Sequence, residues 1–357
     1  MTIKVGVIGV GSIAEIAHLP NYQKNENVSL AAVMDFNEQR ARQVANRFGV
    51  PAVYTDVDQM FANEQLDAVS ICTPNTTHVP LALTAIQHGV DVLLEKPLST
   101  DYIEAQMLVG EVEKAGRICM IGMPHRFRNE ARALKHLVDS DALGDVYYVK
   151  AKILRRRGTP TGWFTDSSKS GGGSLMDIGV HVLDLAWWMT GMQQPERVSG
   201  QLVQGIGKYG TMMTGRWRSA DAANQDNSVF DVEDFATAYI RFAGGMVLSL
   251  EVSWALNGQQ DEAVKVDVYG TKGGLSIDPL CFYGEQNRLF TEGKIDIVPN
   301  DFYADEINHF VDCVKNRETP LIPALQGAQV VQILSAINRS SEMRQEIDVR
   351  DMETVTP

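Results

Sequence analysis

Ile3-Lys4-Val5-Gly6-Val7-Ile8-Gly9-Val10-Gly11-Ser12-Ile13-Ala14 reads as a short buried strand that runs directly into a glycine turn. The turn has the form G-x-G-x-x-A. Its two glycines let the chain bend tightly and let backbone N–H groups approach a pyrophosphate, while the small Ala14 permits close packing of the next helix on the strand. The N-terminus of that helix then faces the phosphates. A second strand, Val28 to Met34, ends in Asp35, at the spacing where a carboxylate accepts from a ribose 2′-hydroxyl. An Asp at a strand end is also compatible with simple solvation. As a ribose ligand it favours NAD over NADP, because a carboxylate repels a 2′-phosphate. The nearest following arginine, Arg40, comes only after Phe36 to Gln39.

Outward from this turn the first third keeps one rhythm. Strand-like Ala68 to Cys72, helix-like Val79 to His88, strand-like Val90 to Leu94, helix-like Tyr102 to Ala115 and strand-like Ile118 to Ile121 alternate, which predicts an α/β fold with a doubly wound parallel sheet. Ligands of such sheets sit beyond the carboxyl ends of the strands. Three of those ends carry chemical side chains: Thr73-Pro74-Asn75-Thr76-Thr77-His78, Glu95-Lys96-Pro97 and Met123-Pro124-His125-Arg126. Each is equally readable as turn chemistry, since Pro and Asn favour turns.

Beyond residue 124 the period changes. A helical pattern from Glu130 to Leu137 leads to segments that alternate by two, most clearly Met246, Leu248, Leu250, Val252 and Trp254 on one face against Val247, Ser249, Glu251 and Ser253 on the other. Further strands are expected at Val146 to Leu154, Val198 to Val203, Phe235 to Phe242, Val264 to Tyr269 and Gly274 to Ile277, forming a largely antiparallel sheet. Helices are expected near Ala304 to Lys315 and Ala324 to Glu342. The stretch Gly205 to Ser228, rich in Gly, Ser, Thr and Asn, reads as an irregular insertion.

A length of 357 residues suits two domains, and 44% apolar residues allow ample cores. The formal charge of −13 argues against nucleic acid, which needs a basic footprint, and against anionic membranes. A small-molecule partner is expected instead. No charged-then-apolar leader precedes Ile3 and no apolar run approaches a membrane span, so a cytoplasmic location is expected. The four cysteines, Cys72, Cys119, Cys281 and Cys313, lack ligand spacing. They read as reduced, with no metal site.

The stretch Gly171-Gly172-Gly173-Ser174-Leu175-Met176-Asp177-Ile178-Gly179-Val180-His181-Val182-Leu183-Asp184 places a carboxylate and an imidazole four residues apart on a predicted helix. At that spacing side chains share a face, so Asp177 is positioned to hold the ring of His181 for acid–base work. Equally, Ser174 or Asp177 caps the helix and His181 is a core histidine. Ahead of it, Arg155-Arg156-Arg157 and Trp163 lie where alternation sets Arg155 and Arg157 on one face and Arg156 on the other. A substrate contact and a cationic edge strand with a buried Trp are both open there.

Taken in order, G-x-G-x-x-A at 9 to 14, Asp35, T-P-N-x-x-H at 73 to 78, E-K-P at 95 to 97 and G-G-G…D-x-x-x-H-x-x-D at 171 to 184 resemble the glucose-fructose oxidoreductase and inositol dehydrogenase (Gfo/Idh/MocA) family over nearly the whole chain. The resemblance implies an NAD-binding Rossmann domain over 1–124. It also implies a substrate-binding and oligomerisation α/β domain over 125–357, with a large open, mostly antiparallel sheet and a last helix that returns to the first domain. The expected cofactor is NAD. By the same resemblance Lys96, Asp177 and His181 are the catalytic and substrate-binding trio, with His181 as acid/base, while Asp184 supports its helix. The implied cofactor contacts are Gly9, Val10, Gly11, Ser12, Ile13, Asp35, Thr73, Pro74, Asn75, His78, Glu95, Lys96 and Arg126. Arg157 and Trp163 complete the implied substrate contacts, and a homodimer or homotetramer is expected through the open sheet face.

The activity so implied is oxidation of a secondary alcohol of a sugar or cyclitol. An imidazole suits the proton transfer near neutral pH, and an ammonium suits the developing alkoxide. Two alternatives from the same architecture are a glycosidase that uses transient oxidation by held NAD, and a silent NAD-sensing regulator. Retention of Lys96, Asp177 and His181 together argues against the regulator, which needs no such trio.

Overall fold

The computed structural model describes residues 2–208, 229–259 and 261–353. Most of the Gly205 to Ser228 insertion therefore lies outside the described residues. The first sheet is built from β1 (Ile3–Ile8), β2 (Val28–Met34), β3 (Ala52–Tyr54), β4 (Ala68–Ile71), β5 (Asp91–Glu95) and β6 (Cys119–Gly122). Their order is β3-β2-β1-β4-β5-β6, and every neighbouring pair is parallel. β4 and β5 are buried along their whole length, as expected for strands covered on both faces. The strand order reverses between β1 and β4, which opens a crevice beyond their carboxyl ends.

Five helices cover this sheet: α1 (Leu19–Lys24), α2 (Glu38–Phe48), α3 (Val57–Asn63), α4 (His78–Gln87) and α5 (Tyr102–Ala115). Their limits follow from local chemistry. Asn37 and Asp101 cap α2 and α5 by accepting from the N–H of Arg40 and Glu104, and left-handed Gly49 and Gly116 end them. Between β1 and α1, residues Ala14–His18 form a π-helical turn. Such turns are rare and cluster at functional sites.

The remainder contains α6 (Asn129–Asp139), β7 (Val146–Leu154), α7 (Ser167–Ser170), α8 (Val180–Met189), β8 (Pro195–Val203), β9 (Phe235–Phe242), β10 (Val247–Ser253), β11 (Glu262–Gly270), β12 (Gly273–Ile277), β13 (Leu280–Gln286), β14 (Leu289–Lys294), α9 (Phe302–Asn316), α10 (Ala324–Met343) and β15 (Ile347–Asp348). The strands form one sheet in the order β14-β13-β12-β11-β7-β10-β9-β8-β15. It is antiparallel except where β7 and β10 run parallel. β13, β14 and β15 were not anticipated. β14 is exposed along its length, so it carries no apolar alternation to reveal it.

The alternation expected in β10 holds: Leu248, Leu250 and Val252 are fully buried, with Met246 and Trp254 beside them. Val149, Ala151 and Ile153 of β7 and Ala236, Ala238 and Ile240 of β9 share that inner face. Helices of the same chain cover it, and Gly179 comes so close to Val252 that an added Cβ would lie 3.4 Å from its Cγ2. The outer face instead shows Tyr148, Lys150, Tyr239 and Tyr269. α10 lies against α5 and β6 as well as β8, and Ile121 N–H donates to Ile322 O at 3.0 Å. The two sheets are thereby held around one cleft.

Candidate active site

The cleft has a volume of about 940 Å³ and lies between the carboxyl ends of the parallel strands and the segment 153–181. Its nucleotide-facing wall begins at Gly9. There φ is +82°, and a Cβ would stand 2.7 Å from Thr73 Cγ2 and 2.8 Å from Cys72 O, so only glycine fits. At Gly11 a Cβ would meet nothing within 4 Å. The backbone is thus bare toward the cleft, as a cradle for a pyrophosphate requires. Ser12, Ile13, Thr73, Pro74 and Asn75 continue the wall, and Asn75 Nδ2 donates to Ser170 O at 2.8 Å.

Asp35 lies at the end of β2 on this wall, 6% exposed. Its oxygens accept from Val10 N–H at 3.0 Å and Asn37 N–H at 2.9 Å. Arg40 reaches back from the first turn of α2 to the same carboxylate, Nη2 to Oδ1 at 2.7 Å and Nε to Oδ2 at 3.1 Å. The residues Phe36 to Gln39 between them do not keep Arg40 away from Asp35. Capping by Asn37 starts the helix so early that its first turn folds Arg40 onto Asp35. Val10 itself is buried and braces Asp35 rather than lining the cleft.

Three other expected contacts lie elsewhere. His78 is fully buried and ties two loops together, with Nδ1 2.7 Å from Pro97 O and Nε2 2.9 Å from Thr73 O. Arg126 is fully buried and clamps Asp184, Nη2 to Oδ1 at 2.6 Å and Nε to Oδ2 at 2.9 Å, while Nη1 donates to Gln326 at 2.6 Å. Both are structural ties and neither lines the cleft. Arg157 is bound to Leu256 O at 3.1 Å and Asn257 Oδ1 at 2.8 Å. β7 ends at Leu154, so strand alternation does not extend to Arg157, and Arg155 lines the cleft in its place. Trp163 lines it as well, stacked on Phe164 with ring centroids 4.0 Å apart.

Lys96, Asp177 and His181 converge on the opposite side. Lys96 Nζ donates to Asp177 O at 2.9 Å and Oδ1 at 3.1 Å, and Trp254 Nε1 donates to Asp177 Oδ2 at 2.9 Å. Asp177 therefore does not hold His181, whose Nδ1 is buried without a partner. Both Asp177 carboxylate oxygens are instead occupied, by Lys96 and Trp254, and Asp177 itself sits in the π-helical turn Leu175–Gly179. Burial and the nearby Lys96 charge hold the His181 imidazole well below its ordinary pKa, so it is neutral at neutral pH.

Three further side chains complete the site. Glu233 accepts from Gly173 N–H and Leu175 N–H, each at 2.8 Å, and fastens the turn that carries Asp177. Gly173 comes so close to this segment that a Cβ would lie 1.8 Å from Glu233 O. His125, named only as part of a strand end, meets His181 edge to face with centroids 5.1 Å apart. Burial lowers its pKa to about 4. Tyr303, on α9, also reaches the cleft. No local signal marks Glu233 or Tyr303, because their partners lie far away in sequence.

Among the described residues, no helix is long and apolar enough to cross a membrane. Nor do three or more His, Cys, Asp or Glu side chains gather as a metal ion would need. All four cysteines are buried free thiols.

Comparison with known proteins agrees with this geometry. Residues 3–123 match the oxidoreductase family with an NAD-binding Rossmann fold, and residues 131–276 match the GFO/IDH/MocA C-terminal domain. The chain belongs to the Gfo/Idh/MocA oxidoreductase family. Among members of the family, it is 30% identical over 344 residues to the D-glucoside 3-dehydrogenase of Escherichia coli K12, covering 95% of each chain. It is 25% identical to the scyllo-inositol 2-dehydrogenase (NAD(+)) of Bacillus subtilis 168, over 98% of this chain and 97% of that one. The levoglucosan dehydrogenase structure in complex with NADH shares the fold, with a TM-score of 0.85, 22% identity, and coverage of 98% of this chain and 99% of that one. As a family member, the chain is an oxidoreductase with a nucleotide-binding Rossmann domain.

Proposed function

We propose that this protein oxidises a secondary alcohol of a sugar or cyclitol ring with NAD, using His181 as the proton acceptor. The observation that carries the reading is the Lys96–Asp177 ion pair beside a neutral His181, in the same cleft as the bare glycine turn and Asp35. NAD, when bound, supplies the hydride acceptor. The hydroxyl proton goes to His181, which is unprotonated and ready for it. Lys96 donates to the reacting oxygen and stabilises its developing negative charge. Asp177, oriented by Trp254, offsets the lysine charge and offers an acceptor to a neighbouring hydroxyl. The ring edge of the substrate lies against Trp163 and Arg155. The printed activities of the relatives from Escherichia coli and Bacillus subtilis support a polyhydroxylated ring.

Asp35 supports NAD as the preferred nucleotide. The outward sheet face with its tyrosines supports assembly into a homodimer or homotetramer. The test follows reduced nucleotide by absorbance with NAD or NADP across a panel of inositols, aldoses, sugar acids and glycosides. Turnover of a ring polyol with NAD is expected. The His181→Ala variant is expected to turn over about 10²- to 10⁴-fold more slowly with nearly unchanged NAD affinity. Silence of the wild type across the panel, or near-normal turnover by the variant, overturns the mechanism.

A further inference from the structure

Among the described residues, the charged side chains along the cleft are partnered, with one exception. Asp35 is gripped by Arg40, Asp177 is paired with Lys96, and Glu95 Oε1 lies 2.9 Å from His18 Nε2. Arg155 lines the same cleft and is half-buried. Every hydrogen bond it makes comes from its backbone, and its guanidinium joins no ion pair. A cation without a counter-charge in such a site favours a ligand that supplies one.

This unpaired group is firmly mounted. Arg155 N–H donates to Ser253 O and Ser253 Oγ, both at 3.1 Å, and Ser253 Oγ donates back to Arg155 O at 3.1 Å. Ser253 itself is fully buried. Behind the stem the chain returns at Gly158, whose N–H donates to Trp254 O at 2.6 Å. A Cβ on Gly158 would lie 2.5 Å from Arg155 Cδ, so the absence of a side chain there gives the arginine stem its seat. Two consecutive residues at the end of β10 thus set two cleft groups: Ser253 holds Arg155, and the Trp254 indole holds Asp177. Arg155 also stands near enough to His181 to help burial and Lys96 keep that imidazole unprotonated.

We propose that the substrate ring carries a carboxylate, which Arg155 receives through two parallel hydrogen bonds while the reacting hydroxyl faces Lys96 and His181. The inference rests on the oxidation reading above and narrows its substrate to a sugar acid or cyclitol acid. The planar fork of a guanidinium matches the two oxygens of a carboxylate. One unpaired cation balances one negative charge, whereas a phosphate monoester brings nearly two. Neutralising Arg155 also removes one of the charges that oppose protonation of His181. The bound carboxylate thereby makes the imidazole a stronger base for the hydroxyl proton.

The test measures dissociation constants by calorimetry on protein saturated with NADH, which prevents turnover of the alcohol. The ligands are hexuronates and their methyl glycosides, each matched with its neutral hexose, and glucose 6-phosphate as the dianion. Wild-type protein is expected to bind a hexuronate about tenfold or more tightly than its neutral partner, the scale of hydrogen bonds between charged groups. Arg155→Met is expected to bring that ratio to about one, and Arg155→Lys, which keeps the charge without the fork, to keep part of it. Wild-type protein that binds the neutral hexoses at least as tightly overturns the inference even if no variant folds. A preference that survives Arg155→Met, or glucose 6-phosphate bound more tightly than every hexuronate, overturns it as well. Oxidation of neutral rings in preference to any hexuronate overturns the inference and leaves the oxidation reading standing. Hexuronates that bind through Arg155 but are never oxidised with NAD overturn the oxidation reading and leave the carboxylate contact standing.

Discussion

Replacing Arg126 by methionine removes the cation from a pair that is closed off from water, since the Arg126 and Asp184 side chains are 0% and 2% exposed. Two bonds to Asp184 and one to Gln326 vanish, and the Asp184 carboxylate is left buried without a counter-charge. Breaking a buried pair in this way costs about 3–5 kcal/mol. With roughly 2.1 cal/mol/K of unfolding entropy per residue, a 357-residue chain melting as one unit loses about 4–7 °C. The double variant Arg126→Met/Asp184→Leu removes the stranded charge together with its partner and is expected to regain most of that loss, because apolar replacement of a buried pair is often neutral or better. Differential scanning calorimetry of the wild type, both single variants and the double variant gives the coupling directly. NAD affinity of the folded Arg126→Met protein, measured at a temperature below its transition, should match the wild type. A melting temperature unchanged within about 1 °C together with a large loss of NAD affinity would refute the reasoning and return Arg126 to the cofactor site.

Two further outcomes follow from the charges in the cleft. His125 and His181 both have pKa values depressed below the ordinary histidine value, His125 to about 4. As pH falls from 7 toward 4 the unfolded chain takes up protons that the folded chain refuses, so stability falls on acidification. The His125 share is at most about 2 kcal/mol at pH 5, and thermal melts of His125→Phe should show a shallower decline between pH 7 and 5 than the wild type. Asp35→Ser removes the carboxylate that Arg40 now grips and with it the repulsion of a 2′-phosphate. The ratio of kcat/KM for NADP over NAD should rise by about tenfold or more, and an unchanged ratio would mean that the ribose is read by other groups.

Much of the fold was legible because it depends on short-range pattern. The strand–turn–helix at Ile3 to Ala14, the alternation of strands and helices through Ile121, and the period-two face of Leu248, Leu250 and Val252 are set by backbone geometry and apolar spacing within a dozen residues. Asp35, Lys96, Asp177 and His181 were legible as side chains at strand ends or on a helix start, and all four reach the cleft. β14 was not, because an exposed strand has no apolar face to repeat.

The sequence by itself determined most of the strands and helices, the glycine turn and the acidic strand end, and which residue types stand at the strand termini. The tertiary structure alone decided what those residues touch. It folded Arg40 onto Asp35, buried Arg126 on Asp184 and His78 between two loops, turned Arg155 rather than Arg157 into the cleft, and set Glu233 under the turn that carries Asp177. Those pairings depend on which partner, tens of residues away, arrives within hydrogen-bond reach, and the energy of a buried charge depends on that partner far more than on its neighbours in the chain.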